Sequence, residues 1–221
     1  FLAADASAFQ YGELLAQAQI ARKLGYEADA KALFDEAHAL RDSLNAILWN
    51  EQDKVYYNID RETRQPYRRV SYSCFVPLMY GMASDDNGKA TITRYMLSEE
   101  HLKSPYGLRS LSLQDPDYNN KNIIVPFSNW QGPVWGITAY IYSLGLHRYG
   151  FDDAVRWLAT ATGSLMCKDL DSIGTMHETY NAETGEPLAP SNFKYRNADG
   201  SPQGFVSWNL IMENILEGVL F

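Results

Sequence analysis

The spacing of apolar residues predicts an all-α protein whose helices form antiparallel pairs separated by long, ordered loops. Three observations carry this prediction. Two uninterrupted stretches with helical rhythm open the chain, two more lie at about 133–149 and 152–166, and the segments between them hold Trp, Tyr and Asn. Disordered segments are poor in aromatic residues, so these loops read as ordered and site-building.

Residues 5–24 place Phe9, Leu14, Leu15, Ala18 and Ile20 at helical spacing, and Gly25 ends the run. Residues 27–48 repeat the rhythm with Ala30, Leu33, Phe34, Ala37, Leu40, Leu44 and Leu48. So short a connection makes the two helices antiparallel neighbours. Trp49 to Asn58 reads as a polar turn followed by a short strand. Residues 71–81 form a mostly apolar helix in which Pro77 marks a kink or a first turn. A helix over 87–97 is introduced by Asp85-Asp86-Asn87-Gly88, and 104–128 is loop. Pro133 is suited to the first position of the 133–149 helix. After the 152–166 helix comes an irregular stretch over 168–202 and a last helix over about 205–218. No linker divides the chain, so 1–221 reads as one domain.

Apolar residues make up 46% and charged residues 21%, a globular balance. The net charge of −8 and the lack of a basic run beyond Arg68-Arg69 argue against nucleic acid and anionic membrane partners. No stretch of about 18 apolar residues is present to cross a membrane. Cys74 and Cys167 make neither a disulfide framework nor a zinc pattern. His38, His101, His147 and His177 lack metal-ligand spacing, and there is no phosphate-binding Gly loop or nucleophile elbow. No metal or cofactor is indicated. The start at Phe1-Leu2-Ala3-Ala4-Asp5 reads as a cut within a larger protein.

Three stretches carry candidate chemistry. Met176-His177-Glu178-Thr179-Tyr180-Asn181 sets one carboxylate among groups able to orient it. In this reading His177 and Tyr180 position Glu178, and Asn181 donates to a sugar hydroxyl. The competing reading is a Glu that satisfies backbone donors at a helix entrance. Ser128-Asn129-Trp130-Gln131-Gly132-Pro133-Val134-Trp135 either projects Trp130 and Gln131 into a site or forms a rigid loop plugged into the core. Gly204-Phe205-Val206-Ser207-Trp208 offers Trp208 as a site wall or as core. Arg109 forks onto sugar hydroxyls or onto Glu178, or else clamps its own loop. Flat aromatic faces beside amides and a carboxylate suit a sugar, and glycoside hydrolysis uses paired carboxyl groups.

Asn129-Trp130-Gln131-Gly132-Pro133-Val134-Trp135, Gly145-Leu146-His147-Arg148-Tyr149-Gly150, Glu178-Thr179-Tyr180-Asn181 and Gly204-Phe205-Val206-Ser207-Trp208 together resemble glycoside hydrolase family 63. The family 37 trehalases are more distant. The resemblance implies an (α/α)6 toroid of which this chain is the C-terminal part. It also implies an inverting α-glycosidase of α-glucosidase type, acting on α-linked oligosaccharides. It places Glu178 as the general base and Trp130, Gln131, Gly132, Trp135 and Trp208 on the substrate side. Thr179 stands where many relatives carry Asn, and Asp5-Ala6-Ser7-Ala8 departs from the usual Asp-Leu-Asn-Ala. The family's acid, an Asp in an upstream Trp-containing loop, has no counterpart here. The remainder of the domain, as an N-terminal segment or a separate chain, is therefore expected to supply it. A half-toroid alone exposes apolar helix faces, at roughly 25 cal/mol per Å². The Gln-Gly-Pro form and the acidic, Tyr-rich composition favour a bacterial, periplasmic or secreted setting. The alternatives are a trehalase, lyase or phosphorylase on the same toroid, or a non-catalytic toroid that binds glycans or proteins.

Overall fold

A computed structural model describes residues 1–122, 129–189, 198–200, 204 and 207–220. Ser128, Phe205 and Val206 of the site motifs lie outside the described residues.

The chain opens with α1 (Ala4–Lys23) and α2 (Glu27–Leu48). Asp5 in the first turn of α1 and Arg22 and Lys23 in its last complement the helix dipole. Ala4, Ala8, Tyr11, Leu14 and Ala18 bury one stripe of α1, and Ala30, Ala37, Leu44 and Leu48 one stripe of α2. The small alanines let the two axes approach. The expected strand pairs β1 (Trp49–Asn50) with β2 (Val55–Tyr56), and β3 (Asn58–Ile59) pairs with β4 (Pro66–Tyr67). The expected 71–81 helix is a 3-10 turn (Tyr72–Phe75) running into α3 (Val76–Met79), with Pro77 in the first turn. Next, α4 (Asp85–Thr91), capped by Ser84 Oγ, widens into a π-turn (Ile92–Met96). The loop beyond holds the hairpin β5 (Lys103–Ser104) and β6 (Gly107–Leu108).

Further helix boundaries differ from expectation. Val134 and Trp135 form a strand, β7, so α5 begins at Gly136, runs to Arg148, and Pro133 does not start it. The strand wins because β7 has a ladder partner, β8 (Thr179–Tyr180), which pairs in turn with β9 (Pro187–Leu188). The helix α6 runs from Asp152 to Ile173, beyond residue 166, and stops where Gly174 adopts φ +69°. The last helix opens as a 3-10 turn (Trp208–Leu210) before α7 (Ile211–Leu220).

Helices α1, α3, α5 and α7 lie side by side and run parallel. At one end Tyr72, before α3, meets Trp130, ahead of α5, at 5.0 Å, and Trp135 meets Trp208, before α7, at 6.2 Å. At the other end Arg148 Nε donates to the Met79 carbonyl (3.0 Å). Tyr80 packs on Phe9 and Tyr11 of α1. The helix α5 is buried nearly all round, as a central helix must be. Helices α2 and α6 are amphipathic and pack outside, α2 on α1 and α6 on α5 and α7. Inner helices alternating with outer ones, all N-termini at one rim, is the arrangement expected of a toroid segment.

Candidate active site

The rim where the inner helices begin collects the three motifs. β7 pairs Val134 with Tyr180 and Trp135 with Thr179, so Glu178 stands one residue off the ladder, level with the first residue of α5. Trp130 stacks on Trp135 with ring centroids 3.7 Å apart and planes at 17°. Trp208 meets the same indole edge-on. Gly204 lies against Thr175, where a Cβ would fall 1.2 Å from Thr175 Oγ1, so Gly204 packs directly on the loop that leads to Glu178. We expect Gly204→Ala to push these segments apart and cost about 1–3 kcal/mol in denaturant unfolding.

The backbone flanking Glu178 is tied on both sides. Asn209 Nδ2 donates to the His177 carbonyl at 2.8 Å. Asp169 on α6, only 3% exposed, receives three donors on Oδ2: the His177 N–H (2.6 Å), His177 Nδ1 (2.7 Å) and the Tyr180 hydroxyl (3.0 Å). Burial, and then the Asp169 carboxylate, push the Tyr180 hydroxyl up and keep it a proton donor. The Glu178 carboxylate itself makes no hydrogen bond among the described residues. Partial burial raises its pKa above the ordinary carboxylate range. A desolvated, unpaired carboxylate on a fixed backbone is equipped to take a proton from water.

The other residues expected to face substrate divide. Trp130 and Gln131 are partly exposed, and Trp208 is 37% exposed. Gln131 Oε1 accepts from Asn119 Nδ2 (3.1 Å), which leaves the Gln131 amide NH2 a donor without a partner among the described residues. Trp130 and Gln131 line a cavity of about 200 Å³ with Asn58, Tyr67, Arg69, Ser71, Tyr72 and Leu111. Arg69 is taken by Asp115 (2.6 Å) and Asp117 (2.8 Å), so this cavity offers hydroxyl-binding groups rather than a free cation. Burial and then the Asp5 carboxylate raise the Tyr72 hydroxyl's pKa, which sets Asp5 on the same rim.

Six of the other expected site residues are engaged within the fold. Trp135 is fully buried and donates its indole N–H to the Asn129 carbonyl (3.0 Å), so it supports Trp130 rather than touching sugar. Gly132 is buried with its Cα against the Asn119 carbonyl, where a Cβ would lie 2.3 Å away, and its lack of a side chain permits that approach. Tyr180 is 1% exposed and bonded to Asp169, and His177 turns its Nδ1 to the same acid, so neither is held against Glu178. Asn181 Oδ1 accepts from the Glu183 and Thr184 amides (2.9 and 3.2 Å), shaping the β8–β9 turn. Arg109 is 3% exposed and is bonded to Glu183 rather than to Glu178. It forks onto Glu183 (2.8 and 3.0 Å) and donates to the Glu99, His101 and Lys103 carbonyls. The residue missed from sequence is Asp169. A signal existed: an Asp continues the buried stripe of Leu158, Thr162, Leu165 and Met166, and a carboxylate on an apolar stripe needs donors.

Parallel inner helices whose N-terminal rim bears a desolvated carboxylate among indole rings define a domain of the (α/α)6 glycoside hydrolase class. More narrowly, residues 2–195 match the mannosylglycerate hydrolase MGH1-like glycoside hydrolase domain, and the chain belongs to that family. A probable mannosyl-oligosaccharide glucosidase of Schizosaccharomyces pombe is 26% identical over 133 residues, 58% of this chain and 16% of that protein. The mannosylglycerate hydrolase MGH1 of Selaginella moellendorffii is 28% identical over 129 residues, 58% of this chain and 22% of that protein. The crystal structure of the GH63 mannosylglycerate hydrolase from Thermus thermophilus in complex with glucose aligns with a TM-score of 0.71 at 19% identity. That alignment covers 96% of this chain and 44% of the other. The chain thus spans less than a quarter of the curated relatives it matches. The expected resemblance to family 63 and the toroid fold both hold.

Proposed function

We propose that this chain carries the base half of an inverting α-glycosidase that hydrolyses α-glucosidic bonds in oligosaccharides. The carrying observation is Glu178, whose carboxylate is desolvated and unpaired among the described residues while its flanking backbone is fully tied. A stronger base for its raised pKa, it removes a proton from a water aimed at the anomeric carbon. The leaving oxygen is protonated from the opposite face by an Asp outside this sequence. In this arrangement the two carboxyl groups stand about 6.5–9.5 Å apart to admit the water. Trp130 and Trp208 offer flat faces to sugar C–H groups, and the Gln131 amide donates to a hydroxyl. Mannosylglycerate, the substrate in two relatives' names, is a second reading, favoured by the family match. Its acid group would compete with Asp115 and Asp117 for Arg69.

Proton NMR of the first-formed sugar tests the mechanism. An α-glucoside should release the β-anomer, and initial release of the α-anomer refutes inversion. Parallel assays with an α-linked glucose oligosaccharide, trehalose and mannosylglycerate decide the substrate. Trp130→Ala should raise KM about three- to tenfold, the worth of one aromatic face, while leaving kcat nearly unchanged.

A further inference from the structure

We infer that Asp169 is the positioning residue that aims Glu178, an inference that rests on reading Glu178 as the base. Asp169 lies on α6, eight residues before His177 and eleven before Tyr180, and one of its oxygens collects donors from both sides of Glu178. His177 precedes the base and Tyr180 follows it by two. Among the described residues the base makes no hydrogen bond of its own, so its aim is set by where its backbone sits. That backbone is held by Asp169 from below, by Asn209 through the His177 carbonyl, and by the β7–β8 ladder.

The chemistry calls for a carboxylate at this position. Three donors converge on one oxygen, and an ionised carboxyl accepts all of them with charge-assisted strength. Because Asp169 is an acceptor, His177 carries its proton on Nδ1, and the ring is locked in one tautomer. Asn at 169 retains a carbonyl acceptor but loses the charge. Ala leaves a buried Tyr hydroxyl and a buried amide without a partner.

Asp169→Ala should lower kcat about a hundredfold with KM little changed, the cost of about an ångström of misplacement. Asp169→Asn should fall between wild type and Ala. Tyr180→Phe, which is isosteric and removes one of the three donors, should lower kcat several-fold. Nitrogen NMR of wild-type His177 should show the Nδ1-protonated tautomer, and Asp169→Ala should lose it. The decisive measurement is the cycle with Glu178→Gln. If Asp169 acts through Glu178, the Asp169→Asn/Glu178→Gln double variant is no slower than Glu178→Gln alone. Independent, multiplicative losses overturn the inference, and so does a folded Asp169 variant with wild-type kcat. Should the Asp169 variants not fold, wild-type kcat in Tyr180→Phe overturns it instead. A Glu178→Gln enzyme of undiminished activity removes the base reading itself, whatever the Asp169 variants do.

Discussion

Glu178→Gln should abolish most hydrolysis while making the protein more stable at neutral pH. The rate loss is expected at about 10³-fold, within the range for a positioned general base, with sugar binding retained. Retained turnover would mean that the Glu178 carboxylate is not the base. The stability gain follows from the direction of the pKa shift. Partial burial raises Glu178 in the folded state, so the folded protein holds this proton more tightly than the unfolded chain does. The ionised carboxylate therefore costs stability, a cost that appears as pH rises through the ordinary carboxylate range and is complete above the raised value. Gln carries no such cost. The variant's melting temperature should exceed wild type at pH 7 and converge on it below about pH 4, where both states are protonated. Because the carboxylate is only partly buried, the gain should stay below about 1 kcal/mol. Thermal scans at the two pH values check the sign.

Arg109→Met should destabilise the fold by about 3 kcal/mol without touching the chemistry directly. The guanidinium is buried and satisfies the Glu99, His101 and Lys103 carbonyls, each of which loses a donor in the variant. It also ties the loop after α4 to the β8–β9 turn through Glu183, while Tyr142 of α5 donates to its own carbonyl (3.0 Å). Glu183 is 41% exposed and rehydrates when the pair is broken. Glu183→Gln, which strands the buried cation but leaves an amide oxygen beside it, should cost about 1–2 kcal/mol. Burial alone would raise the Glu183 pKa, but hydrogen bonds from Arg109 and Tyr118 reverse this and hold it below its ordinary value. The pair's stabilisation is thus fully present above the ordinary Glu range and is lost as pH falls through the depressed value. Urea unfolding at pH 7 and again in acid should show the Arg109→Met penalty shrinking at low pH. A penalty that is unchanged in acid would refute the electrostatic part of this account.

The helices were legible because their evidence is local. Phe9 to Ile20 and Ala30 to Leu48 repeat at helical spacing within one segment, and no distant contact is needed to read them. Where expectation and structure part, a distant partner decides. Val134 and Trp135 continue a helical pattern, but pairing with Thr179 and Tyr180, forty-odd residues away, makes them a strand. The end of α6 was misplaced because Asp169 breaks the apolar pattern, although its donors arrive from the next loop. Among the site residues, Glu178, Trp130, Gln131 and Trp208 stand at the rim. Arg109, Tyr180 and Asn181 have the same chemistry on paper, yet each is occupied by a neighbour.

The sequence by itself determined the helical class, the motif loops and the carboxylate at their centre, because periodicity and residue chemistry are properties of short segments. Only the tertiary structure decided which polar groups remain free. Arg109 and Glu183 lie 74 residues apart, and Asp169 meets Tyr180 across a helix end. Whether such a group meets substrate or a buried partner depends on where two distant segments are brought together, and a hydrogen bond inside the fold removes it from the site. Glu178 differs from the other polar residues in its loop in one respect. The backbone on either side of it is bound, and its carboxylate is bound to nothing among the described residues.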